Sequence, residues 1–134
     1  MEQPPRVWLS LPRSALAAYP ARMIDPEQVR RIALALEGTL DQSKPNRLAF
    51  SKAGRKASYA WTWLEHAHPR KPRVPRLEVL AVRCPIGRKE ILLEVAPDLY
   101  FDDDHYRGYP AILVRLDAIS EDELVALLKD AWRL

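Results

Sequence analysis

His105, Tyr106, Tyr109 and Cys84 are the side chains best able to move a proton or attack an electrophile. Their spacing supplies no nucleophile, base and orienting group in a set, and the chain's four glycines form no phosphate-cradling loop. An enzyme is therefore not expected. His66 and His68 are spaced like a pair of metal ligands, but no cysteine or further histidine lies near enough to complete a zinc set. Asp102-Asp103-Asp104-His105 offers oxygens and one imidazole. Consecutive residues converge on one ion only with glycines to turn them, and none precedes Gly108, so a solvated, charged turn is expected. Neither metal nor cofactor is expected, and Cys84 reads as a small buried hydrophobe at a strand end.

Charge is the stronger signal. Between Lys44 and Lys89, twelve Lys and Arg face two acids, a net +10, while the rest of the chain sums to −7 and the whole to a formal +3. Such segregation is the electrostatic footprint of a polyanion binder. Seven of these cations fall at two strand connections: Lys52, Arg55 and Lys56 at a tight turn, and Arg70, Lys71, Arg73 and Arg76 on the run His66–Arg76. Pro69, Pro72 and Pro75 stiffen that run and keep it out of helix and sheet. If the two connections share an edge of the sheet, the cations form one patch able to grip phosphates; at opposite edges they are a solvated surface. Beside them Tyr59, Trp61 and Trp63 alternate on one strand face. That row is either a sheet face under helices or a stacking platform for unpaired bases, and near-complete burial of all three rings would remove the platform.

The elements that position these residues can be read from capping and periodicity. Asp25-Pro26-Glu27-Gln28 is an N-cap, a first-turn proline and a capping-box partner. Val29, Ile32, Ala33 and Leu36 follow at helical spacing, with Gly38 as the left-handed residue that ends the helix. Arg47–Lys52 and Ala57–Leu64 read as a hairpin about Ala53-Gly54, and Leu77–Arg83 as a third strand. A helix from about Gly87 to Ala96 comes next, then a buried strand over Ala111–Leu116. Ser120-Glu121-Asp122-Glu123 caps a last helix carrying Leu124, Leu127, Leu128 and Ala131 on one stripe. The order α-β-β-β-α-β-α predicts an α+β fold, a mostly antiparallel sheet with helices packed on one face.

At 134 residues the chain has the length of one domain. Residues 1–22 hold four prolines and no sustained periodicity, so they read as an N-terminal extension, with Val7, Trp8, Leu9 and Leu11 as its anchors, on a domain over 23–134. Glu2, Pro12 and Arg13 make a poor signal peptide, no apolar run approaches a membrane span, and the single cysteine suits a reducing compartment. A cytoplasmic location is expected.

The segment His105–Asp117, with Ser120–Trp132 ending in Ala-Trp-Arg, resembles the terminal signature of the MmcQ/YjbR-like family of small bacterial proteins. Helix Pro26–Gly38 and hairpin Leu48–Leu64 are similar to the family's as well, so the resemblance spans Ile24–Leu134. It implies a two-layer sandwich related to the frataxin-like (CyaY-like) fold and a DNA-binding role through strand-connecting wings. On this chain the wings map to Lys52, Arg55 and Lys56 and to Arg70, Lys71, Arg73 and Arg76. The recurrent His105, Tyr106, Gly108 and Trp132 are expected to hold the last strand against the last helix. The extension, the Ala-Gly-Arg-Lys turn and the long Pro/Arg loop depart from the family pattern.

The expected function is nucleic-acid binding through phosphate contacts from these loops. Base readout is not expected, because no basic, capped recognition helix is present. The alternative is a protein-interaction or homo-oligomerisation module whose acidic and basic poles pair.

Overall fold

The computed structural model describes residues 23–134. The extension 1–22 and its anchors Val7, Trp8, Leu9 and Leu11 lie outside the described residues. From Pro26 the chain forms helix α1 (Pro26–Leu34), and Asp25 and Gln28 complete the capping box by exchanging hydrogen bonds of 2.9 Å. The helix ends at Leu34, earlier than Gly38. Gly38, at φ 74°, instead turns the chain into strand β1 (Thr39–Asp41). Then come β2 (Ala49–Lys52), β3 (Ser58–Glu65), β4 (Val74–Arg83) and helix α2 (Ile86–Val95). Strands β5 (Tyr100–Phe101) and β6 (Ala111–Arg115) and helix α3 (Glu121–Arg133) complete the described elements.

The architecture is α+β, a six-stranded sheet in the order β1-β2-β3-β4-β6-β5 with every neighbouring pair antiparallel. The short strands β1 and β5 extend the expected sheet at its two edges. One face carries the main core: Phe50, Ala60, Leu80, Val82, Ile112 and Val114 against Val29 and Ile32 of α1 and Leu124, Leu127 and Leu128 of α3. Leu92 and Leu93 of α2 pack on the same cluster. The other face carries a smaller cluster, in which Trp61, Trp63 and Phe101 pack on Val79, Ala81, Tyr106, Ala111 and Leu113.

Two irregularities in β3 and β4 decide which side chain faces where. Phe50 opposes Ala60 while Ser51 opposes Ser58, so Tyr59 is an extra residue on β3. A bulge of this kind re-aims its side chain. Tyr59 accordingly leaves the row it would share with Trp61 and Trp63, joins the helix-covered core, and makes a 2.9 Å hydroxyl contact with Thr39. The second correction concerns Pro75, expected to stand in a loop but paired with Leu64 inside β4. β6 pairs with β4 only from Val79 to Arg83, so the start of β4 is an edge where a missing N–H breaks no ladder. Arg76 thereby sits on the strand, and the connecting loop shortens to 66–73.

Candidate anion-binding cleft

The two basic connections lie at opposite ends of β3. The β2–β3 turn precedes Ser58 and the β3–β4 loop follows Glu65, so eight residues separate them, roughly 25 Å at about 3.3 Å per residue. The seven predicted cations therefore do not form one patch. They divide into a loop group and a turn group with different surroundings.

In the loop group, Arg76 donates to Glu65 across the ladder at 2.8 Å, which satisfies its charge within the sheet. Arg70, Lys71 and Arg73 are exposed on the loop. The Arg70 N–H donates to Nδ1 of His68 at 3.2 Å, so that imidazole nitrogen serves the loop's own backbone. At this end of the sheet the three loop cations face solvent.

The turn group lines a concavity. Arg55 N–H donates to the Lys52 carbonyl at 2.9 Å, closing a turn whose third residue, Gly54, has φ 85°, the conformation a type II turn requires there. Ala53 N–H donates to the Gly38 carbonyl at 2.7 Å, fixing the turn to the chain leaving α1. Between this turn, the ends of β3 and β4 and the last turn of α3 lies a cleft of about 520 Å³. Lys52, Arg55, Lys56 and Arg83 line it, with Trp132, Tyr59, Pro85 and Pro110, and no carboxylate side chain is among its lining residues.

Three of the four cations have partners other than carboxylate side chains, and Lys56 is exposed on the turn. The Lys52 ammonium stands 3.9 Å from the centroid of the Trp132 ring. Arg55 donates to the main-chain oxygen of Leu134. Arg83 donates Nε–H to the Ser58 carbonyl at 3.1 Å, and its guanidinium lies 5.5 Å from the ring centroids of both Trp61 and Tyr109. Among the described residues, salt bridges occupy Arg30, Arg76, Arg88, Lys89, Arg107 and Arg133, but none of the four cleft cations. A second hollow of about 250 Å³ adjoins the cleft across Arg83 and Cys84, and there Arg88 is paired with Asp130 at 3.2 Å. Cys84 is 2% exposed, and burial pushes its thiol pKa up against the opposing pull of Arg88 and Lys89.

Lys89 is a different kind of cation. Although it belongs to the +10 segment, its side chain is 4% exposed, and its ammonium donates to the carbonyls of Tyr106 at 2.6 Å and Tyr109 at 2.9 Å. Asp102 Oδ1 completes its shell at 3.1 Å. Asp103 accepts from the Tyr106 N–H at 2.8 Å and the Trp63 indole N–H at 2.9 Å, and Asp104 pairs with Arg107 at 2.6 Å. The acidic run is thus a set of structural ties, in contrast to the solvated turn expected, and only Asp104 of the three acids is exposed.

The resemblance-derived residues also fall differently from expectation. Tyr106 packs in the smaller cluster, on the sheet face away from α3, and accepts from Trp61 Nε1–H at 2.9 Å. Burial raises the pKa of its hydroxyl, opposed by that hydrogen bond. Gly108, at φ 75°, turns the 102–110 segment over this face, and His105 is exposed with its ring edge-on to Tyr106 at 4.9 Å. Trp132 donates to the Glu37 carbonyl at 2.7 Å and walls the cleft. Strand β6 is held to α3 by Ile112, Val114, Leu124 and Leu128 instead. Trp61 and Trp63 are half-buried with both indole N–H groups engaged, so with Tyr59 buried the row offers no three-ring platform.

Sequence reasoning placed Lys52, Arg55 and Lys56 but missed Arg83 and Trp132 as their neighbours. The antiparallel register holds the available signal: in a β3–β4 hairpin, the end of β4 must return beside the start of β3. Nothing local marks the last turn of α3 as the third wall.

No family model matches the chain. Over 46 residues, 34% of the chain, it is 44% identical to the uncharacterised proteins Rv2570 of Mycobacterium tuberculosis and Mb2600 of Mycobacterium bovis. The match covers 36% of each relative, so the chain spans about a third of the length of these curated relatives. The fold is similar to the crystal structure of Deinococcus radiodurans protein DR2400, a DUF419 domain, with a TM-score of 0.59 and 20% identity, covering 83% of this chain and 78% of that one. DUF419 is related to the MmcQ/YjbR family. Among the described residues, no helix is long and apolar enough to cross a membrane.

Proposed function

We propose that this protein is a cytoplasmic, non-enzymatic member of the MmcQ/YjbR-like group that binds nucleic acid through phosphate contacts at the turn end of its sheet. The supporting observation is the convergence of Lys52, Arg55, Lys56 and Arg83 on one concavity with no carboxylate side chain in its lining. Cations without carboxylate side-chain partners around a hollow are the ones most available to a polyanion. Those already neutralised, such as Arg76, would have to exchange one partner for another. The loop cations Arg70, Lys71 and Arg73 serve in this reading as a diffuse field that speeds encounter.

Sequence-independent phosphate binding weakens steeply with salt, with a log–log slope of about −0.9 per phosphate contacted on duplex DNA and about −0.7 on single strands. Fluorescence anisotropy with labelled single-stranded DNA, duplex DNA and RNA at low and moderate salt tests the proposal. Binding to at least one of them with a slope equivalent to about three or four contacts is expected. Affinity that does not change with salt, or no binding at low salt, would remove it.

A second reading has an observation of its own. The first turn of α3 carries Glu121, Asp122 and Glu123, while its last turn reaches the basic cleft, so acid and base sit at opposite ends of one thirteen-residue helix. Head-to-tail pairing of two copies would follow from that polarity. Salt-sensitive dimerisation in sedimentation, without nucleic acid, is its signature.

A further inference from the structure

We infer that the turn-end cleft accepts a single nucleoside phosphate, its phosphate held by Lys56, Arg55 and Arg83 and its base laid on Trp132. This deepens the nucleic-acid reading and rests on it when the nucleotide belongs to a strand. At about 520 Å³ the cleft falls within the roughly 300–1,000 Å³ of small-ligand sites. It is therefore sized for one unpaired nucleotide. A duplex, with its bases stacked inside, would present only backbone to it.

The walls differ in chemistry. Cations come from the turn and from the end of β4, while Trp132 and Pro110 add apolar, partly aromatic surface beside them. A nucleotide has the same two-part character, a phosphate at one end and a flat π-face at the other. Trp132 is pre-set for stacking, because its Nε1–H is fixed to the Glu37 carbonyl at 2.7 Å. Its ring face is now covered by the Lys52 ammonium at 3.9 Å. A cation on a ring face is weakly held where water reaches it, so an arriving phosphate can draw Lys52 away and leave the face to a base. Stacking is then conditional on phosphate, and the site discriminates a nucleotide from its nucleoside.

The test uses the full chain and follows the indole N–H resonance of Trp132, identified by its loss in Trp132→Phe. AMP, adenosine and inorganic phosphate are titrated separately. Labelled 5′-phosphorylated single-stranded DNA and a closed, end-free duplex dumbbell are compared by anisotropy. AMP should shift the Trp132 signal, bind at least about tenfold more tightly than adenosine or phosphate, and displace the single strand. The dumbbell should bind at least about tenfold more weakly than the single strand. Trp132→Ala should weaken AMP about ten- to hundredfold, the range for loss of one stacked base, with Trp132→Phe largely restoring it. Melting temperatures of the variants confirm folding, and Lys56→Glu, on an exposed turn residue, gives a loss of AMP binding independent of Trp132.

The outcomes separate this inference from the one beneath it. AMP binding that depends on Trp132, without binding of any oligonucleotide, supports the cleft with free nucleotides as its source and removes the nucleic-acid reading. Equal affinity for dumbbell and single strand, unchanged in Trp132→Ala, overturns the nucleotide cleft and leaves backbone binding standing. No binding of AMP or of any oligonucleotide overturns both.

Discussion

Lys89 shows how far a residue's role can depart from its place in a charge count. In sequence it is one more cation of the +10 segment, yet the structure buries it and surrounds its ammonium with two carbonyls and one carboxylate. Removing one partner of a buried, hydrogen-bonded charge costs about 3–5 kcal/mol, because the remaining groups lose their donor. Lys89→Met, which keeps an unbranched side chain but removes the ammonium, should destabilise the protein by about 3 kcal/mol in chemical denaturation. It should also loosen the 102–110 segment, seen as faster amide exchange at Tyr106. Cys84 gives a kinetic prediction. Burial keeps its thiol protonated, so alkylation by iodoacetamide near neutral pH should be slow in the native protein and become fast only on unfolding. Asp41 gives a pH prediction. Hydrogen bonding from Ser43, opposed by burial and aided by Arg30, holds its carboxyl below the ordinary 3.8. A folded-state pKa below the unfolded one contributes stability above the unfolded value, and the contribution is lost as pH falls through the folded value. Asp41→Asn should therefore flatten the acid side of the stability profile below about pH 4, measured by urea melts across pH. The burial of Cys84 was legible as that of a small hydrophobe at a strand end, whereas the shell of Lys89 is brought up from another segment and the Asp41 shift needs Ser43 together with burial and Arg30 in place.

The elements themselves were largely legible. The helices announce themselves by the Asp25 and Ser120 caps and by apolar stripes, and the structure starts α1 at Pro26 and α3 at Glu121. Ser120 Oγ accepts from Glu123 N–H at 3.2 Å as the capping pattern requires. Strands β1 and β5, of three and two residues, are too short to show an alternation and exist because a neighbouring strand offers them an edge. The bulge at Tyr59 was equally hidden. Strict alternation places Tyr59 with Trp61 and Trp63, and only the extra residue opposite Phe50 and Ser51 moves it to the helix side. Its hydroxyl, at 2.9 Å from Thr39, fastens the bulge to β1, and burial raises its pKa. Tyr59→Phe should cost about 1 kcal/mol, the net worth of a typical hydrogen bond, with the tryptophan signals of the far face unmoved. A larger cost, or a shifted Trp61 resonance, would mean that the bulge itself depends on that hydroxyl.

At the scale of the whole molecule, segregated charge is the most evident property of the sequence, and geometry decides what it means. The two basic connections are legible from charge together with the hairpin and proline pattern, but their separation needs the direction of β3, and their different standing needs the partners of each cation. Arg76 is neutralised by Glu65, whereas Lys52, Arg55, Lys56 and Arg83 converge on a cleft lined by no carboxylate side chain. The central claim is that phosphate is bound at the turn end and not on the proline-stiffened loop. Two double charge reversals separate these ends: Arg55→Glu with Lys56→Glu, and Arg70→Glu with Lys71→Glu, all on exposed residues. The decisive measurement is the affinity of each variant for one labelled single-stranded oligonucleotide at two salt concentrations. The turn reversal should lower affinity by at least about a hundredfold and flatten the salt slope by roughly two contacts. The loop reversal should change affinity severalfold and leave the slope nearly intact. Loss of binding on the loop reversal, with the turn reversal still binding like the unaltered protein, would contradict the account.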